Sequence, residues 1–305
     1  LRSEPERVIA DLHPRYLSTR WAEENHPDRV VHVQHHHAHI GSVMAENRYT
    51  DPVIGFSFDG TGYGTDGTIW GGELLVGDLG GFERAGHLGA AQLVGGDAAV
   101  QRPYRMALSH LDAAGVKWDE RIPSVSASPD GEREVVRHQL ETGLNSVATT
   151  SMGRLFDAVA SIAGVCHQVS YEGQAAIELE ALGTPDAAGA YHFELVEGSD
   201  GLILDPGTVI AAVVADVVAG ERPGVIAARF HRALVDAVVA SAQYLRRQYD
   251  VGTAALSGGV FQNVTLLEGA KQGLEGAGFT VLVHRLVPPN DGGLALGQGA
   301  LAGQR

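Results

Sequence analysis

The chain has 305 residues, 44% of them hydrophobic and 19% charged, and a formal net charge of −15. That length supports two compact cores, and no apolar run approaches the ~20 residues a membrane-spanning helix requires. A soluble cytoplasmic protein without a membrane partner is expected. The acidic balance, with no basic stripe to offset it, disfavours nucleic acid, and the single cysteine, Cys166, excludes an internal disulfide and a cysteine-rich zinc cluster.

In chain order, Arg29 to Gln34 (RVVHVQ) reads as a short strand, and His36 to Asn47 as a helix with Ile40, Val43 and Met44 on one face. From Pro52 three apolar runs separated by glycine-rich turns, VIGFSF, TIWGGELLVGDL and FERAGHLGAAQL, predict an antiparallel meander. Asp97 is placed to cap a helix that runs to about Ala114 with a break at Pro103. Residues 115–146 are polar and weakly periodic, and read as an insertion. Ser151 caps a helix to about Ile162, and a second helix follows the turn at Tyr171 to Gly173. Two strands (YHFELVEG, GLILDP), two helical stretches, the longer with Ile226, Phe230, Leu234, Val238 and Leu245 on one stripe, a strand TAALS, a helix, a strand TVLVHRLV and a glycine- and alanine-rich helix complete the pattern. Antiparallel strands followed by alternating helices and strands predict two mixed α/β lobes around a ligand cleft. The first lobe is placed at 1–146 and the second at 147–305, with the final helix near the lobe interface.

Five histidines fall within the eight positions 32–39. His35 and His39 stand four apart, on one helical face, which suits either capture of a transition metal or hydrogen-bonded packing. His36 and His37 point elsewhere and read as structural. Asp59 ends a strand, as a ligand at a sheet edge or as an Asp-Gly turn residue. Gly60, Gly62 and Gly64 allow a backbone anion nest or simply a tight turn. No phosphate-binding GxxxxGK[ST] motif is present, so phosphate would fall to backbone amides, arginine and a divalent ion. LSGGVFQN sets Ser257, Gly258, Gly259 and Asn263 between a strand and a helix, where free amides favour phosphate or polar ligands. Asp291, in PPNDGG, is either a helix cap or a metal ligand. Gly173 marks a turn, Glu178 is either a ribose-binding carboxylate or a solvated one, and Cys166 beside His167 reads as a packing cysteine rather than a nucleophile.

Taken together, VQHHHAHIGSVMAEN, the DGTGYGTDGT segment, GGDAAVQRPYRMAL, SMGRLFDAVAS, SYEGQAAIELEAL, LSGGVFQN and VPPNDGGLALGQG resemble the hydrogenase-maturation carbamoyltransferases of the HypF family. The resemblance implies the carboxy-terminal Kae1-like module and, with it, the two-lobed actin-like ATPase fold (ASKHA, with RNase H-like lobes). The segment that opens the first lobe in that family is expected to precede Leu1.

The same resemblance implies a divalent metal, iron(II) or zinc, held by His35, His39 and Asp291 with Asp59 as the fourth ligand. His35, His39 and Asp59 are then the catalytic residues. It also implies a nucleotide, with or without magnesium, held by Gly153, Asp157, Gly173, Glu178, Gly258, Gly259 and Asn263. The implied reaction is transfer of a carbamoyl group from carbamoyl adenylate, formed with ATP, to the C-terminal cysteine of a HypE-like partner. Acylphosphatase-like and YrdC-like domains belong to the full-length family protein. An O-carbamoyltransferase acting on a small hydroxyl compound shares the same motifs. A non-catalytic ATP-binding scaffold is a further alternative, although it has no need of paired histidines.

Overall fold

The computed structural model describes residues 4–184 and 187–303. It opens with β1 (Val8–Asp11), α1 (Leu17–Asn25) and β2 (Val30–Val33), the two strands pairing in parallel. Of these, the sequence reading found only β2. One residue later α2 (His35–Glu46) begins, and the Gln34 side chain caps it by accepting the His37 N–H at 2.9 Å.

The expected meander forms β3 (Val53–Tyr63), β4 (Ile69–Gly77) and β5 (Phe82–Leu88), antiparallel throughout. The third run breaks at Gly89–Ala90, and its end becomes β6 (Ala91–Val94). Between Phe58 and Gly62 the β3–β4 register shifts, which releases Asp59, Gly60 and Thr61 from regular pairing. A bulge at the end of a strand is what re-aims a side chain, and here it turns Asp59 toward α2.

The helix expected to break at Pro103 is two, α3 (Asp97–Gln101) and α4 (Pro103–Ala113), with Gly96 rather than Asp97 at the cap position. Pro103 has no N–H to continue the ladder and serves as the first residue of a new helix. Residues 115–146 also hold helices, α5 (Pro123–Ser126) and α6 (Asp130–Thr142), and Ile122, Val125 and Val136 from this segment are fully buried. Only Val136 and Gln139 of α6 are buried, so its sequence pattern is faint.

β7 (Ser146–Thr149) pairs with β6 and leads into α7 (Met152–Ile162), α8 (Gln174–Leu182), β8 (Glu194–Gly198), β9 (Gly201–Asp205), α9 (Gly207–Val218) and the 27-residue α10 (Pro223–Tyr249). β10 (Thr253–Ser257), α11 (Val264–Gly276), β11 (Thr280–Leu282) and α12 (Leu294–Ala302) follow. The large sheet has nine strands, in the order β11-β10-β3-β4-β5-β9-β8, with β6 and β7 branching from β4. The main core draws Phe56, Phe58 and Leu74 from the sheet, Leu155 and Phe156 from α7, and Phe230 and Leu234 from α10. It therefore takes residues from both sides of position 146.

Two smaller clusters pack around α2, through Ile40, Val43 and Met44 on one side and Ala38 with Leu301 on the other. α12 lies so close to α2 that a Cβ on Gly297 would fall 1.8 Å from the Ala38 carbonyl oxygen. Only glycine fits there. Among the described residues no helix is long and apolar enough to cross a membrane.

Candidate metal and nucleotide site

The α2 spacing brings His35 and His39 to one face with their rings 4.9 Å apart, and both side chains are 1% exposed. Asp59 Oδ2 lies 2.9 Å from His39 Nε2 and 3.4 Å from His35 Nε2. Asp291 Oδ1 lies 3.5 Å from each of the same two nitrogens. One donor atom from each of the four residues falls within 4.8 Å of the others. His36 and His37 stand apart: Gln34 Nε2 faces His36 Nδ1 at 3.1 Å, and His37 Nε2 donates to the Asp78 carbonyl at 2.7 Å.

Burial pushes the His35 and His39 imidazoliums down, but the carboxylates around them outweigh it and hold both pKa values above the usual histidine range, His35 well above. Burial likewise pushes Asp59 up, and the two histidines outweigh that and hold it well below the carboxylate range. Asp291 is held low by the same two rings. Two imidazoles and two carboxylates that attract positive charge this strongly are a donor set that fits a divalent transition metal.

Asp11, at the end of β1, went unread in the sequence. Its Oδ2 accepts from His35 Nδ1 at 2.8 Å, and its Oδ1 accepts the His13 N–H at 2.8 Å. A carboxylate on Nδ1 fixes the tautomer and leaves the Nε2 lone pair for a metal. Gly62 packs beneath the rings, since a Cβ there would lie 2.4 Å from His36 Cε1 and 2.9 Å from His35 Cδ2. Its smallness makes room for histidines, a role beside the anion nest or tight turn expected of it.

A cavity of about 450 Å³ opens beside the cluster and is bounded by Asp59 and Asp291. The bulge supplies Gly60, the first turns of α7 supply Gly153, Arg154 and Asp157, and the turn after β10 supplies Gly259 and Asn263. α8 contributes the face Ala176, Ile177 and Glu180, with Gly173 at its cap. Glu178 lies off this face and accepts from Gln174 Nε2 at 2.8 Å, so the α8 carboxylate at the cavity is Glu180, whose Oε1 accepts the Thr265 N–H at 2.9 Å, with Glu172 lining the cavity beside it.

Several expected binding groups already have partners. Gly60 N–H donates to Asp59 Oδ1 and Gly258 N–H to the Pro289 carbonyl, at 2.7 and 2.9 Å. Ser257 is fully buried against His284, with Oγ 2.8 Å from Nε2, and neither Ser257 nor Gly258 lines the cavity. Asn263 caps α11 by accepting the Leu266 N–H at 2.8 Å, while its Nδ2 meets His231 Nε2 at 2.9 Å. Asp291 stands at the head of a short 3₁₀ turn, but the side chain that caps this turn belongs to Asn290.

Arg154 is 6% exposed, and its Nη1 lies 2.8 Å from Asp157 Oδ2 in an orientation that makes no in-line hydrogen bond. Burial, opposed by Arg154, pushes the Asp157 carboxyl up to about 6. The pair offers a buried cation whose counterion is easily protonated, an environment suited to an incoming phosphate. Cys166 is different: burial, with Glu178 beside it, pushes its thiol up to about 11, so it is no thiolate at neutral pH.

Residues 55–298 match the family model described as the carbamoyltransferase Kae1-like domain, second subdomain, and residues 1–46 match the HypF Kae1-like domain. Carbamoyltransferase HypF of Synechocystis sp. is 37% identical over 316 residues, covering 96% of this chain and 40% of that protein. Carbamoyltransferase HypF of Rhodobacter capsulatus is 39% identical, covering 98% of this chain and 39% of the relative. A crystal structure of full-length HypF in the phosphate- and nucleotide-bound form is similar with a TM-score of 0.92 at 38% identity, over 99% of this chain and 47% of that one. The chain thus spans about 40% of the length of these curated relatives. Sequence and fold agree that the chain belongs to the HypF carbamoyltransferase family and corresponds to its Kae1-like domain.

Proposed function

We propose that this domain transfers a carbamoyl group from carbamoyl adenylate to a cysteine thiol at the C-terminus of a HypE-like maturation protein, using a divalent metal held by His35, His39, Asp59 and Asp291. The observation that carries the reading is the shared wall: Asp59 and Asp291 belong both to the four-residue cluster and to a cavity of about 450 Å³. A void of that size suits a nucleotide-sized ligand. A nucleotide seated there would end at the cluster, with its acyl group at the cation. A nucleotide-controlled scaffold has no use for that arrangement.

Arg154 and the N-terminus of α7 hold the phosphate, where a buried guanidinium and the positive end of the helix dipole favour an anion. Glu180 is placed to accept hydrogen bonds from ribose hydroxyls. Asp11 keeps the His35 tautomer. When bound, a divalent metal supplies Lewis-acid polarisation of the acyl oxygen. The thiolate forms a C–S bond to the carbamoyl carbon while the C–O bond to AMP breaks, and AMP leaves with the electron pair. Formation of carbamoyl adenylate falls to YrdC-like and acylphosphatase-like domains elsewhere in the full-length protein, in the cytoplasm.

The test supplies carbamoyl adenylate and a peptide ending in cysteine to the full-length chain and weighs the peptide by mass spectrometry. A gain of one carbamoyl group that needs both metal and His39 is the expected result. Nucleotide hydrolysis without acyl transfer, in protein with its metal bound, overturns the reading in favour of a scaffold.

A further inference from the structure

His35, His39, Ser42 and Glu46 are spaced four, three and four residues apart along α2 and therefore share one face of the helix. The first two are candidate metal ligands. The last two hold a different part of the chain. Ser42 Oγ donates to the Gly293 carbonyl at 2.8 Å, in a buried contact. Glu46 Oε1 accepts the N–H groups of Arg285 and Leu286 at 2.7 and 2.6 Å, and its Oε2 lies 3.1 Å from His284 Nδ1.

Glu46 is an unexpected residue for its position. It is the last residue of α2, where the helix dipole disfavours an anion, and its side chain is only 7% exposed. A buried carboxylate is tolerated when donors surround it. All of these donors come from 284–287, a stretch expected to continue β11 as a strand. The strand stops at Leu282, and the backbone N–H groups beyond it turn to Glu46 instead of a neighbouring strand.

Residues 283–290 form no helix or strand, and they lead to Asp291. Asp291 has a side chain 67% exposed, and the His35 and His39 rings are the groups it approaches in the cluster. Its position is therefore set by what anchors the segment on either side: the Gly258 N–H holds the Pro289 carbonyl at 2.9 Å, and on α2 the anchors are Glu46 before Asp291 and Ser42 after it. His284 extends the link, because its Nε2 meets Ser257 Oγ at 2.8 Å, one residue before the glycines that lead into the cavity.

We propose that Ser42 and Glu46 are positioning residues of the metal site, docking the segment that delivers Asp291 onto the same helix face that presents His35 and His39. This rests on the metal reading of the cluster. One helix then sets the distance between the imidazole ligands and also the distance from them to the remote carboxylate.

The test is a double-mutant cycle in the full-length chain with cobalt(II) as the probe, read by chelator competition and by visible absorption. In Glu46→Ala, cobalt affinity is expected to fall on the order of tenfold, as for loss of an outer-shell support, and the absorption bands should move to those of Asp291→Ala. In the Asp291→Ala background the same change should alter affinity less than about twofold, because the ligand that Glu46 places is gone. Glu46→Gln, which keeps an oxygen to accept backbone N–H groups, should recover part of the loss, and Ser42→Ala provides an independent arm if Glu46→Ala folds poorly. Wild-type affinity and bands in both Glu46→Ala and Ser42→Ala, or full additivity with Asp291→Ala, overturn the proposal. Cobalt binding that survives His39→Ala in full overturns the metal reading itself, and this inference with it.

Discussion

Replacing Asp11 separates tautomer control from ligand supply. In Asp11→Ala the cluster keeps its four donors, but the His35 Nδ1–H and the His13 N–H lose their acceptors. Outer-shell carboxylates of this kind carry about 10- to 100-fold in metal affinity, or about 1.4–2.8 kcal/mol. Stability should fall by about 1–3 kcal/mol, because Asp11 is 4% exposed and a buried donor left unpaired costs that much. Asp11→Asn is the sharper variant. If the amide oxygen serves the His13 N–H, the amide nitrogen faces His35 Nδ1 and selects the tautomer with the proton on Nε2, which cannot ligate a metal. Asn should therefore lower metal affinity at least as much as Ala while disturbing the fold less. Chelator competition gives affinity and urea titration gives stability. Wild-type affinity in both variants would refute the reasoning.

On the cavity side, Glu180→Ala should weaken nucleotide binding several-fold by calorimetry while Glu178→Ala leaves it unchanged, since only Glu180 faces the cavity; equal effects of the two would contradict the placement. Asp157 gives a pH signature. Its carboxyl is raised to about 6 when folded, so the folded state binds the proton more tightly than the unfolded chain does. That contribution is fully present below the unfolded value near 4 and is lost as pH rises through about 6. Wild-type stability should thus fall between about pH 4 and 6 more steeply than that of Asp157→Asn, and parallel urea-derived profiles would remove Asp157 as the cause.

The parts of the site legible in sequence are those written in local spacing. His35 and His39 show themselves by helical period, and Asp59 by its place at the end of an apolar strand. Asp291 could be read from its own neighbourhood only as a cap or a ligand, because the fold brings it to His39 from almost the far end of the chain. Asp11 gave no signal, because its function depends on β1 pairing in parallel with β2, opposite Val33 and just before α2. Glu178 and Glu180 differ only in helical phase. Gly173, Ala176, Ile177 and Glu180 share the face that meets the cavity, yet Ile177 is 52% exposed, so apolar periodicity points the wrong way. The glycines misled for a related reason. Gly62 and Gly258 look like phosphate-nest residues, but one makes room for imidazole rings and the other spends its N–H on Pro289.

Segment 115–146 was hidden by polarity, since a thirteen-residue helix that buries two residues leaves little amphipathic signature. The break of the strand after β11 was equally silent. VLVHRLV is good strand sequence, and it is the buried Glu46, far away in sequence, that draws its amides elsewhere.

The position of Asp291 also bears on how the protein is made. During translation the two imidazoles and Asp59 are synthesised early, together with Asp11, whereas the fourth donor follows only after α11 and β11. A nascent chain can therefore display the imidazole pair and one carboxylate well before the site can close. The four-residue cluster is thus complete only once α12 has settled on α2 and Asp291 has arrived.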